Sequence, residues 1–127
     1  MKLTKENYVE HAEKVMKEIC SDKNGKNIVT TSKIRNILSM VSEIYNEARR
    51  LTKETLDSEM ISKIQYLKMH VAYDAGRENS VRSFVEKAGI FQAIDGIGRS
   101  RENLIVFCHY MEALVAYRKY LGGKDEN

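Results

Sequence analysis

Apolar residues recur every three to four positions along almost the whole chain, which is the spacing of amphipathic helices. Proline is absent, so no helix needs to kink at a missing N–H group. The pattern predicts helices over about residues 5–19, from behind the hydroxyl residues 30–32 to about 51, over 58–75, 81–88 and 90–94, and from behind Ser100 to 121. The predicted fold is all-α, a compact bundle of five to six helices.

The last of these segments is apolar over more than half of its circumference, a pattern typical of a helix buried on several sides. We therefore expect a mostly buried C-terminal helix at the centre of the bundle. Its apolar residues are Leu104, Val106, Phe107, Tyr110, Met111, Ala113, Leu114, Val115, Tyr117 and Leu121. Glycines follow the other periodic segments, and Gly76, Gly89 and the pair at 122–123 are predicted to end helices in a left-handed conformation.

The length of 127 residues suits a single helical domain over 1–127, with a polar loop at 21–27 and a frayed tail at about 122–127. No run of about 18 apolar residues is present, and the first residues do not lead into a secretory signal, so we expect no membrane association. Cys20 and Cys108 lack the spacing of a metal or redox motif, which predicts reduced thiols and a cytoplasmic location.

Residues that could support catalysis are scattered. His11, His70 and His109 fall on three different predicted helices without a motif partner, and most carboxylates of the first helix alternate with lysines as on a solvated face. The sequence therefore predicts no enzyme, no metal site and no cofactor. The segment at 94–98 matches the core of helix-hairpin-helix DNA-binding elements, but Glu102 occupies a position that is usually small, so a plain glycine-bearing connection is the favoured interpretation.

The net charge is only +3, so the placement of the charges matters more than their sum. One arc of roughly 100° on the second helix collects cations and small polar residues, while Glu43 and Glu47 fall outside it. Arginine forks bind phosphate oxygens, and small side chains let a phosphate backbone approach. The residues in this arc are Arg35, Ser39, Ser42, Asn46, Arg49 and Arg50.

Cations also occupy the first turn of that helix, where the helix dipole disfavours them by about 0.3–1 kcal/mol each. Lys33 and Arg35 in this position suit an anion bound between them, and the alternative is that both are simply solvated. On the third helix Lys68 points between apolar residues, so it either reaches out to solvent or faces a partner chain or phosphate. Arg77 and Arg82 flank the next turn, and a mixed basic and aromatic arc comprises Lys63, Tyr66, His70, Tyr73 and Arg77.

Three separated motifs occur in order: TTSKIRNIL at 30–38, YDAGR at 73–77 and YMEALVAY at 110–117. Together they resemble the small subunit of type III-A CRISPR effector (Csm) complexes, over almost the whole chain from about Tyr8 to Gly123. The resemblance implies several copies of the subunit stacked beside the backbone subunits, lining a groove that holds the guide RNA and its target RNA. It also implies that nuclease and cyclic oligoadenylate chemistry belong to the backbone and large subunits of this antiviral complex.

Carried over by motif, Lys33, Arg35 and Arg77 are the expected RNA-backbone contacts. Arg49, Arg50, Lys68 and Arg82 join them on the argument from helical position. Contacts of this kind are independent of sequence, as a machine programmed by its guide requires. The alternative that stays open is a helical protein–protein adaptor, in which the arginines meet an acidic partner and no nucleic acid.

Overall fold

The computed structural model describes residues 2–21 and 28–122, and within these ranges the chain forms six helices. They are α1 (Tyr8–Cys20), α2 (Thr31–Ala48), α3 (Ser58–Arg77), α4 (Asn79–Ala88), α5 (Ile90–Asp95) and α6 (Arg101–Tyr120). The predicted all-α fold is confirmed. Most of the predicted loop at 21–27 and of the predicted tail at 122–127 lies outside the described residues. None of the helices found in the described ranges has the length and apolarity needed to cross a membrane.

Side-chain caps set where three helices begin. The side chains of Thr30, Asp57 and Ser100 each accept a hydrogen bond from the backbone N–H three residues later, at donor–acceptor distances of 3.3, 2.9 and 3.1 Å. Each cap satisfies one of the N–H groups that a helix leaves without an internal partner. Thr30, in the hydroxyl cluster, and Ser100 therefore cap the starts of helices, as the sequence predicted.

Glycine ends only some of the helices that the sequence predicted it to end. Gly89 adopts a left-handed φ of 64° and separates α4 from α5. The prediction for Gly76 is wrong: α3 continues through it to Arg77 and ends at Glu78, whose φ of −137° is extended. An added Cβ at Gly76 would meet nothing within 4 Å, so no close packing forces the chain to turn there.

The last helix has the central position that its sequence predicted. α6 packs against both α1 and α2, while α3 packs against α4 and α2, and α5 joins α4 to α3. Tyr110 of α6 is fully buried, and its hydroxyl donates a 2.8 Å hydrogen bond to the carbonyl of Ala88 at the end of α4. Helical spacing places Val9 with the apolar residues of α1, but it is 43% exposed.

A buried arginine closes the far end of the central helix. Arg118 is only 8% exposed, and its Nε donates a 2.7 Å hydrogen bond to the carbonyl of Val29, just before α2. Its Nη1 lies 3.8 Å from the Sγ of Cys20 at the end of α1. Arg118 thus ties the ends of three segments together, a role that no sequence pattern indicated.

Two connections between helices pair with each other through their backbones. The N–H of Leu56 donates to the carbonyl of Arg99 at 2.8 Å, and the N–H of Arg101 donates to the carbonyl of Glu54 at 2.9 Å. This short antiparallel pairing of residues 54–56 with residues 99–101 is called the clasp below. It holds the segment after α2 against the start of α6.

Candidate nucleic-acid interface

The arc of cations and small polar residues predicted on α2 is exposed along its whole length. On the opposite side of the helix Ile34, Ile37, Val41 and Ile44 are buried in the core, which fixes the helix's rotation. The exposed set is called the α2 strip below. It consists of Arg35, Ser39, Ser42, Asn46, Arg49 and Arg50.

Local contacts order the side chains at the end of the strip. The Nε of Arg50 donates a 3.1 Å hydrogen bond to the carbonyl of Asn46. The guanidinium carbon of Arg49 lies 5.8 Å from the centre of the Tyr45 ring, a cation–π contact. Neither contact neutralises the guanidinium charge, so both cations keep their attraction for an anion.

One carboxylate near the strip, that of Glu47, is turned to another partner. Glu47 accepts two hydrogen bonds from the Nζ of Lys63 on α3, at 2.7 and 2.6 Å. This hydrogen bond to Glu47 raises the pKa of Lys63 and keeps it charged. Lys63 is therefore engaged within the chain and adds no free cation to the aromatic arc predicted on α3.

The cation that opens α2 already has an anionic partner. The Nζ of Lys33 donates to Oε2 of Glu78, the residue between α3 and α4. Lys33 and Arg77 share a small polar cleft of about 130 Å³, together with Asn36, Asp74 and Glu78. The structure thus brings together two motif residues that lie 44 positions apart in sequence, but two carboxylates line the same cleft.

Lys68 is held by a partner that the sequence analysis did not consider. Its Nζ lies 2.6 Å from Oδ1 of Asp95 at the end of α5, and its side chain is about one-third exposed. Lys68 therefore forms an ion pair within the chain, between α3 and the end of α5. Its ion-pair partner is Asp95 and not a residue of the α2 strip.

The turn between α3 and α4 carries the remaining two predicted site residues. The guanidinium carbon of Arg77 lies 5.4 Å from the centre of the exposed Tyr73 ring. Arg82 is exposed on α4 and has no ion pair or hydrogen bond to another side chain in residues 2–21 and 28–122. Both cations are accessible from solvent at the junction of α3 and α4, whereas Arg49 and Arg50 lie at the C-terminal end of α2.

Each histidine packs against at least one tyrosine ring. His11 stacks on Tyr110 at a centroid distance of 5.5 Å, His109 lies 5.3 Å from Tyr45, and His70 packs edge-on to Tyr66 at 5.1 Å. Burial raises the pKa of the Cys108 thiol to about 12, so this thiol stays protonated. The part of the chain that the structure describes contains no group of three potential metal ligands.

The glycine-bearing connection before α6 does not present a free phosphate site. Gly96 is right-handed and Gly98 has a φ of 56°, and the backbone then reaches Ser100, whose side chain caps α6. Glu102 stands in the first turn of α6, at the position that is usually small in a helix-hairpin-helix element. These contacts favour the plain connection over a helix-hairpin-helix element.

Two arginines near the α2 strip were missed by the sequence analysis. Arg101 donates from Nε and Nη2 to the carbonyls of Ala48 and Arg49 at 3.0 and 3.4 Å, which places its guanidinium at the C-terminal end of α2. Arg99 lies in the clasp, and its Nη1 donates to the carbonyl of Leu56 at 3.2 Å. The sequence held no signal for this, because about fifty residues separate these arginines from the end of α2.

Comparison with known proteins gives one consistent family. The model of the type III-A Csm2 family matches residues 2–124. A protein of Mycobacterium tuberculosis H37Rv, described as the CRISPR system Cms protein Csm2, is 40% identical over 126 residues, covering 99% of this chain and all of the relative. The protein of the same description from Streptococcus thermophilus is 45% identical over 123 residues, covering 97% and 98%. That from Enterococcus italicus is 36% identical over 96 residues, covering 74% and 69%.

Proposed function

Because the chain belongs to the type III-A Csm2 family, we propose that it is the non-catalytic small subunit of a Csm CRISPR effector complex and that it binds the backbone of RNA through the α2 strip. Its partners in this proposal are the guide RNA, the target RNA, the backbone and large subunits of the complex and neighbouring copies of itself. It needs no cofactor and acts in cytoplasmic antiviral defence.

The observation that carries the RNA-binding part is the exposure of the whole α2 strip with three arginines and no carboxylate in it. Arg35 and Arg49 are 14 positions apart, which at 1.5 Å per residue spans about 21 Å of helix. The small side chains of Ser39 and Ser42 lie between them and leave room for a backbone to approach. A ridge of this length can follow several nucleotides of one RNA strand.

The arginines of the strip are suited to phosphate contacts. Guanidinium groups bind phosphate oxygens in a forked geometry, and such contacts fix position without reading sequence. Base pairing between guide and target supplies the sequence specificity in guide-programmed effectors. The strip therefore fits a subunit that supports any guide–target pair equally.

The proposal is tested by fluorescence anisotropy with two labelled RNAs of unrelated sequence, titrated at several salt concentrations. The variant is Arg35→Gln/Arg49→Gln, and its control is Lys14→Gln/Lys87→Gln, which removes two exposed cations on α1 and α4. We expect the strip variant to bind about tenfold or more weakly and its salt slope to fall by about 1.4, since each single-strand phosphate contact adds about 0.7.

The control variant should lose far less affinity, because it changes the net charge equally but leaves the strip intact. Equal losses in the two variants would mean that binding follows net charge alone, and the strip would have no special role. Wild-type protein that binds neither RNA at low salt, yet assembles with its partner subunits, would favour the protein–protein adaptor.

A further inference from the structure

Three cations that the sequence analysis did not select lie in or beside the clasp, which follows the end of α2. Arg101 is held there by its two hydrogen bonds to the carbonyls of Ala48 and Arg49. Arg99 is held in the clasp by its bond to the carbonyl of Leu56. Lys53 is exposed in the connection that leads from α2 into the clasp. Arg101 thus adjoins the C-terminal end of the α2 strip, and Lys53 follows Arg50 three positions along the chain.

The carboxylates of this region are partly engaged elsewhere. Asp57 caps α3 by accepting a hydrogen bond from the N–H of Met60 at 2.9 Å. The Oε1 atom of Glu102 lies 3.7 Å from the Nζ of Lys5, which precedes α1. Glu54 is exposed in the clasp. Residues 49–57 and 99–102 contain five cations and three carboxylates, so the region keeps a positive excess.

Arg101 also changes the electrostatics of the helix end. The C-terminus of a helix carries a partial negative charge that repels anions. Here the guanidinium of Arg101 covers two of the terminal carbonyls, and its Nη1 has no hydrogen-bond partner in the residues that the structure describes. A helix end that would repel phosphate is thereby converted into one that attracts it.

We propose that Lys53, Arg99 and Arg101 form a second phosphate-binding cluster, which extends the α2 strip beyond the end of the helix and takes the backbone of the same RNA strand. The inference rests on the proposed function, since it concerns the same ligand. RNA is favoured over an acidic protein because the cluster is continuous with the strip, and the exposed neighbours Thr52 and Thr55 are small and polar, with no apolar anchor.

The test uses the full chain, the same two RNAs and the same salt series. Lys53→Gln/Arg99→Gln removes two of the three cations, and Arg99→Lys keeps the charge while losing the bond to the carbonyl of Leu56. Thermal unfolding of each variant establishes that it is folded. Lys14→Gln/Lys87→Gln again serves as the charge-matched control, and Arg35→Gln/Arg49→Gln reports on the strip.

We expect Lys53→Gln/Arg99→Gln to bind about three- to tenfold more weakly than the wild type, with a salt slope smaller by about 1.4. Arg99→Lys should retain most of the affinity, because a phosphate contact needs the charge. A Lys53→Gln/Arg99→Gln protein that binds like the charge-matched control, while the strip variant loses binding, would overturn the second cluster and leave the proposed function standing.

Two other outcomes also count against the cluster. A Lys53→Gln/Arg99→Gln protein that binds RNA normally but no longer enters the assembled effector complex would assign these cations to a protein partner. A wild-type protein without any salt-sensitive RNA binding would overturn the cluster together with the strip.

Discussion

Lys33, in the first turn of α2, donates a hydrogen bond from its Nζ to the carboxylate of Glu78, which lies between α3 and α4. Both side chains are about one-third exposed, at 29% and 34%. The sequence predicted an anion at this end of α2, and a carboxylate of the chain itself binds Lys33 there. An RNA phosphate that approaches Lys33 therefore competes with the carboxylate of Glu78.

Replacing Glu78 should strengthen RNA binding. Glu78→Gln removes the competing carboxylate and leaves Lys33 free to contact phosphate, so we expect about two- to fivefold tighter binding and a salt slope larger by about 0.7. Anisotropy titrations over a salt series measure both. Glu86→Gln, which removes an exposed carboxylate on α4, changes the net charge equally. If Glu86→Gln has the same effect, Glu78 does not restrain Lys33.

Truncating Arg118 should destabilise the fold far more than truncating an exposed arginine does. Arg118→Ala leaves the carbonyl of Val29 without its donor and removes packing between α6 and Cys20, which we expect to lower the free energy of unfolding by about 2–3 kcal/mol. Urea unfolding followed by circular dichroism measures the loss. Arg82→Ala, at an exposed position, should cost less than about 0.5 kcal/mol; similar losses in both would contradict the structural role of Arg118.

The hydroxyl of Tyr110 should contribute measurably to stability. Tyr110→Phe removes only the oxygen that donates to the carbonyl of Ala88, and both groups are buried, so we expect a loss of about 1–2 kcal/mol in the free energy of unfolding. Tyr120→Phe is the matched control, since Tyr120 is 80% exposed and should tolerate the change. A Tyr110→Phe protein as stable as the control would show that the buried bond is energetically neutral.

His11 should make the fold less stable in mild acid. Burial lowers its pKa below the ordinary 6.5, and its Nδ1 has no hydrogen-bond partner among the described residues. Between the lowered pKa and about 6.5 the unfolded chain binds more protons than the folded one. The free energy of unfolding therefore falls as the pH drops through this window and loses nothing further from His11 once the pH is below the lowered pKa.

Urea unfolding of the wild type and of His11→Gln, from about pH 7 down to about pH 5, measures this contribution. The stability of the wild type should fall more steeply than that of His11→Gln. His70→Gln should keep the steeper, wild-type fall. Parallel curves for the wild type and His11→Gln would rule out a role for His11 in the acid sensitivity.

Helical periodicity and polar caps made the fold predictable from the sequence. The starts at residues 30–31 and at Ser100, and the central position of α6, follow from local patterns that the structure confirms. Gly76 misled the prediction, because a glycine ends a helix where it adopts a left-handed φ, as Gly89 does, whereas α3 continues through Gly76 to Arg77.

The sequence could predict the candidate site only within a single helix. Exposure of the α2 strip follows from the apolar residues on the opposite side of the same helix. The partners of Lys33 and Lys68 lie 45 and 27 positions away, so their ion pairs depend on how helices pack and leave no local signal. For the same reason, the sequence analysis missed Arg101 at the end of α2 and Arg99 in the clasp.

The central position of α6 also constrains how the chain folds during synthesis. Because α1 and α2 bury apolar side chains against α6, which follows the other five described helices in the chain, both helices lack this partner on the ribosome until about Tyr120 has emerged. The contacts of α3 with α4 and α5 are close in sequence and can form before that. The core is therefore completed only once α6 has emerged, and the interval before that is when an unfinished copy is most exposed to pairing with another.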